Sequence, residues 1–113
     1  MKRTLQVHSR VATQALTLLG QLIRTRRLEL RMTAAEAAER AGVSRALFYR
    51  IEQGDPTCSA GAMFEAASVV GVPLFEEMRT GGTLSAALQQ SDKMMSLLPQ
   101  SARRSKVQVF DDF

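Results

Sequence analysis

The sequence of 113 residues has no tryptophan, one histidine and one cysteine, and only 5% of its residues are aromatic. A single cysteine excludes a disulfide within the chain, and one cysteine with one histidine does not supply the ligands of a zinc site. We therefore expect no metal and no cofactor. A nucleophilic role for Cys58 would need a basic partner nearby, and His8 is far away in the sequence, so the chain is not expected to be an enzyme.

Long apolar runs are also missing from the sequence. No stretch approaches the ~18–20 apolar residues that cross a membrane. The stretch TLQVHSRVAT near the start is too polar for the core of a signal peptide, so we expect a cytoplasmic protein with no membrane partner. Hydrophobic residues still make up 45% of the chain, which is enough for a folded core and argues against wholesale disorder.

Alanine, leucine and basic residues are plentiful instead. Runs of β-branched residues are rare, so the composition favours helices that pack closely through small side chains. The net charge of +4 suits a polyanionic partner but does not identify one.

The spacing of apolar residues predicts several helices. Apolar residues three, four and seven positions apart predict a long first helix over residues 9–30, in which Gly20 marks either a bend or a break. A fourth helix is expected over residues 60–70. A short turn follows Pro73, with Leu74, Phe75 and Met78 facing inward. An amphipathic helix is expected from Leu84 to just before Pro99.

Between the first and fourth helices, two short helices are predicted with a tight turn between them. Thr33 and Glu36 form the pattern of a capping box for a helix over residues 34–41, which Gly42 ends. Ser44 then caps a helix over residues 45–53. Two short helices joined by a glycine-containing turn are typical of a helix-turn-helix, in which the second helix lies in the major groove of DNA. A hairpin of two helices in an ordinary bundle has the same spacing.

On this interpretation, the second short helix recognises DNA. Arg45 and Arg50 are the candidates for base contacts, because arginine can donate two hydrogen bonds to guanine. Ser44 and Tyr49 are candidates for phosphate contacts, and Thr33 and Arg40 are weaker ones. The predicted DNA-binding residues are Thr33, Arg40, Ser44, Arg45, Ala46, Tyr49 and Arg50.

The segment AGVSRALFYRIEQG, residues 41–54, resembles the signature of the XRE-type (Cro/phage-repressor-like) regulators. The resemblance covers residues 19–74. It implies an all-α, five-helix, lambda-repressor-like domain that binds a two-fold operator as a homodimer. It also implies an ion pair between Arg27 and Glu52, half-buried between the first and third helices; the alternative is that both are solvated surface charges. One family contact is missing, because Ala34 stands where many members have a glutamine that touches phosphate.

A second, narrower resemblance is to the HipB-like antitoxins of HipA-type kinases. The segment GDPTCSAGA, residues 54–62, is similar to a loop of those proteins, with Cys58 at a valine position. Independently of this resemblance, Cys58 is interpreted from the sequence as a small, half-buried packing residue. The end of the chain, LLPQSARRSK…FDDF, is similar to their terminus. The resemblance implies a HipA-like kinase as partner. The predicted partner-binding residues are Arg103, Arg104, Phe110, Asp111, Asp112 and Phe113.

Together these observations predict three parts of the chain: an N-terminal arm over residues 1–14, an XRE-type domain over 15–78, and a hinge, an amphipathic helix and a partner-binding tail over 79–113. The predicted function is that of a transcriptional repressor that also serves as the antitoxin of a HipA-like kinase. Two alternatives stay open. One is a phage-like repressor without a toxin partner, and the other is a protein-binding adaptor that reuses the helix-turn-helix.

Overall fold

The structure is a computed structural model that describes residues 7–102. Within this range it is all-α, with six helices and no strand. The helices are α1 (Arg10–Glu29), α2 (Ala34–Ala41), α3 (Arg45–Glu52), α4 (Ala60–Val70), α5 (Glu76–Arg79) and α6 (Leu84–Ser96). The chain divides after Phe75 into two compact units, so that α1–α4 belong to the first and α5 and α6 to the second.

The start of α1 agrees with the helix predicted over residues 9–30. The helix begins at Arg10, where the hydroxyl of Ser9 accepts a hydrogen bond from the backbone N–H of Ala12 at 3.1 Å. Residues 10–14, which the sequence pattern assigns to the N-terminal arm, belong to this helix. The first compact unit ends at Phe75, and the predicted bounds of the three parts of the chain stay a prediction.

The core of the first unit combines a few large apolar side chains with many small ones. Its core is built around Ile23, Phe48 and Val70, which are almost completely buried. The alanine pairs of α2 and α4 let these two helices pack closely, because a methyl group keeps the backbones near each other. The remaining buried residues of this core are Ala37, Ala38, Ile51, Cys58, Ala66, Ala67 and Val72.

Side chains after α4 pack less completely than the sequence predicts. Leu74 is partly buried against the core, as expected. Phe75 was expected to face inward, but half of its surface is exposed. The short turn of α5 begins only at Glu76, so Phe75 lies outside the helix that was to direct it inward.

Gly20 does not break α1. The helix is continuous from Arg10 to Glu29, and Gly20 is buried where the C-terminal end of α3 meets it. A Cβ atom at this position would lie 2.5 Å from the backbone oxygen of Glu52 and 2.7 Å from that of Ile51. Glycine is therefore required here because two stretches of backbone come closer than any side chain allows.

This contact predicts the effect of Gly20→Ala. In a free helix the change would be favourable by roughly 1 kcal/mol. Here we expect it to destabilise the protein by about 1–3 kcal/mol, because α3 must move away from α1. Chemical denaturation measures the change. Gly61→Ala is the matched control, since Gly61 is also helical but a Cβ there would meet nothing within 4 Å. If both variants are equally stable, the close approach of α3 to Gly20 is wrong.

Candidate nucleic-acid interface

Helices α2 and α3 form a hairpin whose ends are fixed by local hydrogen bonds. The hydroxyl of Thr33 accepts from the N–H of Glu36 at 3.1 Å, and the Glu36 carboxylate accepts from the N–H of Thr33 at 2.8 Å. Gly42 ends α2 in the left-handed conformation, with φ 74°. Two residues later the hydroxyl of Ser44 accepts from the N–H of Leu47 at 3.0 Å and begins α3.

Helix α3 has one buried face and one exposed face. Phe48, Ile51 and Glu52 are buried. The opposite face is free of the first unit's core, so its side chains can meet another molecule. The residues exposed there are Arg45, Ala46, Tyr49, Arg50 and Gln53.

Gln53 was not among the predicted DNA-binding residues. It follows Tyr49 by four positions and Arg50 by three, which places it on the same face of the helix. Sequence reasoning assigned Gln53 only to the end of the helix. The spacing was available in the sequence and would have found this residue.

The side chain of Arg50 is held by the loop that follows α3. Its Nε donates to Asp55 at 2.9 Å, and one terminal nitrogen donates to the hydroxyl of Thr57 at 2.7 Å. Thr57 in turn donates to Asp55 from both its hydroxyl and its backbone N–H, at 2.7 and 2.8 Å. The hydrogen bonds from Thr57, then that from Arg50, lower the pKa of Asp55 to about 2.

This network has two consequences for Arg50. The hydrogen bond that Arg50 donates to Asp55 raises the pKa of Arg50, so the guanidinium stays charged. Two of its nitrogens already have partners, while 46% of the side chain remains exposed. Arg45 is different, because it makes no ion pair with the residues that the structure describes.

The hydroxyl groups at the two helix starts keep a hydrogen to donate. Thr33 and Ser44 each accept one backbone N–H, and a hydroxyl can accept and donate at once. Both residues are exposed. The N-terminus of an eight-residue helix also presents unpaired N–H groups and a partial positive charge.

Arg40 lies apart from these residues. It lines a hollow of about 290 Å³ together with residues at the end of α1, in α2 and in α4, and no residue of α3 takes part. The structure therefore groups Arg40 with Arg31 and Glu36 and not with the exposed face of α3. The other residues lining the hollow are Leu30, Met32 and Val69.

A buried ion pair fixes α3 against α1. Arg27 donates to both carboxylate oxygens of Glu52, from Nε at 2.7 Å and from a terminal nitrogen at 3.2 Å. Its other terminal nitrogen donates to the backbone oxygen of Met32 at 3.0 Å. The two side chains are 10% and 5% exposed, so this pair is buried where the sequence predicted it to be half-buried.

Charge is not concentrated in the helical domain. Residues 18–79 contain eight arginines, no lysine and eight acidic residues, so the excess positive charge lies towards the two ends of the chain. Long-range attraction to DNA therefore does not follow from this segment as a whole. It depends on where individual arginines stand.

Neither a metal site nor a reactive cysteine appears in residues 7–102. No cluster of potential metal ligands occurs there. Cys58 is buried, and burial raises the pKa of its thiol, so it stays protonated and serves as a packing residue. No helix in the same range is long and apolar enough to cross a membrane.

The predicted partner-binding residues lie outside the described residues. These are Arg103, Arg104, Phe110, Asp111, Asp112 and Phe113.

Comparison with known families adds one finding. A family model described as a helix-turn-helix domain matches residues 18–79, which is more than half of the chain. The chain belongs to this helix-turn-helix family. The match supports an XRE-like regulator, as the sequence predicts, and covers both α2 and α3. No curated protein and no solved structure matches the chain. The resemblance to HipB-like antitoxins thus stays a prediction.

The buried pair predicts the effect of Glu52→Ala. The change leaves Arg27 charged and buried without its carboxylate partner, and breaking such a pair costs about 3–5 kcal/mol. We expect a clearly lower melting temperature in thermal denaturation.

Glu29→Ala is the matched control for this experiment. It breaks the exposed pair with Arg26, whose side chains are 42% and 58% exposed, and such pairs contribute less than about 1 kcal/mol. If Glu52→Ala has the same melting temperature as Glu29→Ala, the buried pair does not hold α3 in place.

Proposed function

We propose that the protein is a sequence-specific DNA-binding repressor that acts as a homodimer on an operator. The observation that supports this most strongly is the exposed face of α3. This face belongs to the second helix of a helix-turn-helix hairpin whose turn and caps are complete, and it presents Arg45 with no ion-pair partner among residues 7–102. A helix of this kind enters the major groove with its N-terminal residues towards the bases.

The geometry distributes the roles unequally. Arg45 has its full guanidinium available for two hydrogen bonds to guanine. Arg50 is oriented by Asp55 and Thr57, so it meets DNA in one fixed direction. Ala46 presents a methyl group that suits contact with a thymine methyl.

Phosphate contacts surround these base contacts in the proposal. Ser44 and Thr33 donate from their hydroxyls, and Tyr49, with 62% of its surface exposed, donates from its phenol. Gln53 joins the same face. Arg40 is assigned a peripheral phosphate contact, since it lines a hollow to which α3 contributes no residue.

Arg45→Ala tests the recognition helix. We expect a loss of operator affinity of about 1–3 kcal/mol, or roughly 5- to 150-fold, with unchanged thermal stability because the side chain is exposed. Mobility-shift titration on the protein's own promoter DNA and a melting curve measure both quantities. Arg24→Ala is the matched control, since it removes another exposed arginine, which lies on α1.

The same titrations distinguish a DNA-binding protein from an adaptor. Affinity for DNA falls steeply with salt when a protein neutralises phosphates. A protein-binding adaptor would show neither operator binding nor such a slope. Equal loss of affinity in Arg45→Ala and Arg24→Ala would contradict the assignment of α3 as the recognition helix.

We further infer an antitoxin role for the same repressor, in which it autoregulates its operon and neutralises a HipA-like kinase. The support is the sequence resemblance of residues 54–62 and of the C-terminal end to HipB-like antitoxins. The terminal phenylalanines beside Asp111 and Asp112 suit a pocket with a basic rim on the partner. A repressor without a partner is the alternative.

Deletion of residues 101–113 tests the antitoxin role. We expect the shortened protein to keep operator binding, because the α2–α3 hairpin is untouched, and to lose capture of a HipA-like kinase encoded beside it. Mobility shift and co-purification measure the two activities on one protein. Full retention of the kinase would rule out the tail as the kinase-binding element, and loss of operator binding would place the tail at the DNA or dimer interface.

A further inference from the structure

Helix α6 exposes an apolar face with the spacing of a coiled-coil seam. Leu84, Leu88, Ser91 and Met95 follow one another at intervals of four, three and four residues. This alternation keeps side chains on one stripe of a helix that faces a second helix. Ala87 and Met94 flank the stripe and widen it. We call these six residues the α6 seam.

Most of the α6 seam is exposed within the described residues. Leu88 is 62% exposed and Met95 64%, and α6 buries no residue at all. An isolated helix of 13 residues is marginal in water, because the cost of nucleating it is not recovered by its own hydrogen bonds. We therefore expect the helix to gain stability from a surface that covers the seam.

A groove that is lined in part by seam residues can receive the side chains of a second helix. It has a volume of about 370 Å³ and lies between α5 and α6 within the second unit. Glu77 forms one wall. The wall from α6 consists of Ala87, Gln90, Ser91, Met94 and Met95.

The charge pattern permits a second copy of α6 as the partner. The six seam residues carry no ionisable group, and the two charged residues of α6, Asp92 and Lys93, lie off the seam. Two identical seams can therefore face each other without repulsion between like charges. A two-fold interface between copies requires such a self-complementary face.

We propose that α6 pairs with α6 of a second copy of this chain and is the element that forms the dimer. This names the contact on which dimeric operator binding, part of the proposed function, rests. A helix of 13 residues is about 20 Å long, so a pair of α6 helices forms an interface smaller than the ~1,600 Å² that is usual for specific complexes. Pairing is then dependent on concentration and is strengthened when two copies bind one DNA molecule.

Helix α1 has a second exposed apolar stripe, which is the rival surface. Val11, Ala15, Leu18 and Leu22 have the same spacing. However, α1 is already held by its buried face, where Gly20, Ile23 and Arg27 pack. Its stability does not require a further partner, in contrast to that of α6.

Sedimentation equilibrium of the full chain without DNA tests the proposal. We expect the wild type to form dimers and the Leu88→Glu/Met95→Glu variant to raise the dimer dissociation constant at least about tenfold. Gln89→Glu/Ser96→Glu is the matched control, since it adds the same two carboxylates to α6 away from the seam. Leu88→Ala/Met95→Ala removes the apolar contacts while favouring the helix, so that its weaker pairing reports the seam and not helix loss.

Several results would overturn the proposal. They are a wild type that stays monomeric, a seam variant that pairs as tightly as its control, and loss of the dimer only in Val11→Glu/Leu18→Glu. A monomeric wild type whose seam variant no longer binds a kinase would assign the face to another protein. Failure of DNA binding is separate, because the dimer is measured without DNA.

Discussion

The position of the proposed recognition helix depends on one buried interaction, the fork of Arg27 on Glu52. The arginine reaches from α1 to the end of α3 and, with its remaining nitrogen, to the backbone between α1 and α2. Three segments therefore share one guanidinium. A bidentate pair with little water around it is directional as well as strong. Because α3 has only eight residues, such an anchor at its end restricts the direction of the whole helix.

Two glycines make this anchor geometrically possible. Gly20 removes the side chain that would separate α1 from the end of α3. Gly54, with φ 78°, turns the chain away where a Cβ would lie 2.9 Å from the Cα of Thr17. The ion pair thus holds together two backbones that already touch. A glycine in a helix usually weakens it, and here the weakness is offset by a contact that no other residue permits.

The sequence predicts those parts of the fold whose signals are local. The caps at Thr33 and Ser44 and the end of α2 at Gly42 follow from neighbouring residues. The role of Gly20 does not, because it depends on a helix more than thirty positions away in the sequence.

The candidate site shows the same division between local and distant signals. The exposed face of α3 could be predicted, including Gln53 had its spacing been counted. The hydrogen bonds from Arg50 to Asp55 and Thr57 could not be predicted, since they depend on how the loop after α3 folds back. The separate position of Arg40 likewise follows only from the packing of α1, α2 and α4.

The shortness of α3 limits how much information one copy of the protein can read. Eight helical residues extend about 12 Å, which corresponds to roughly three or four base pairs of DNA at 3.4 Å each. A given sequence of four base pairs occurs by chance about once in 256, whereas a genome offers roughly a million or more competing positions. Two copies on one site would lower that chance frequency to its square, about one in 65,000. A helix of this length therefore carries enough information for only one half of such a site.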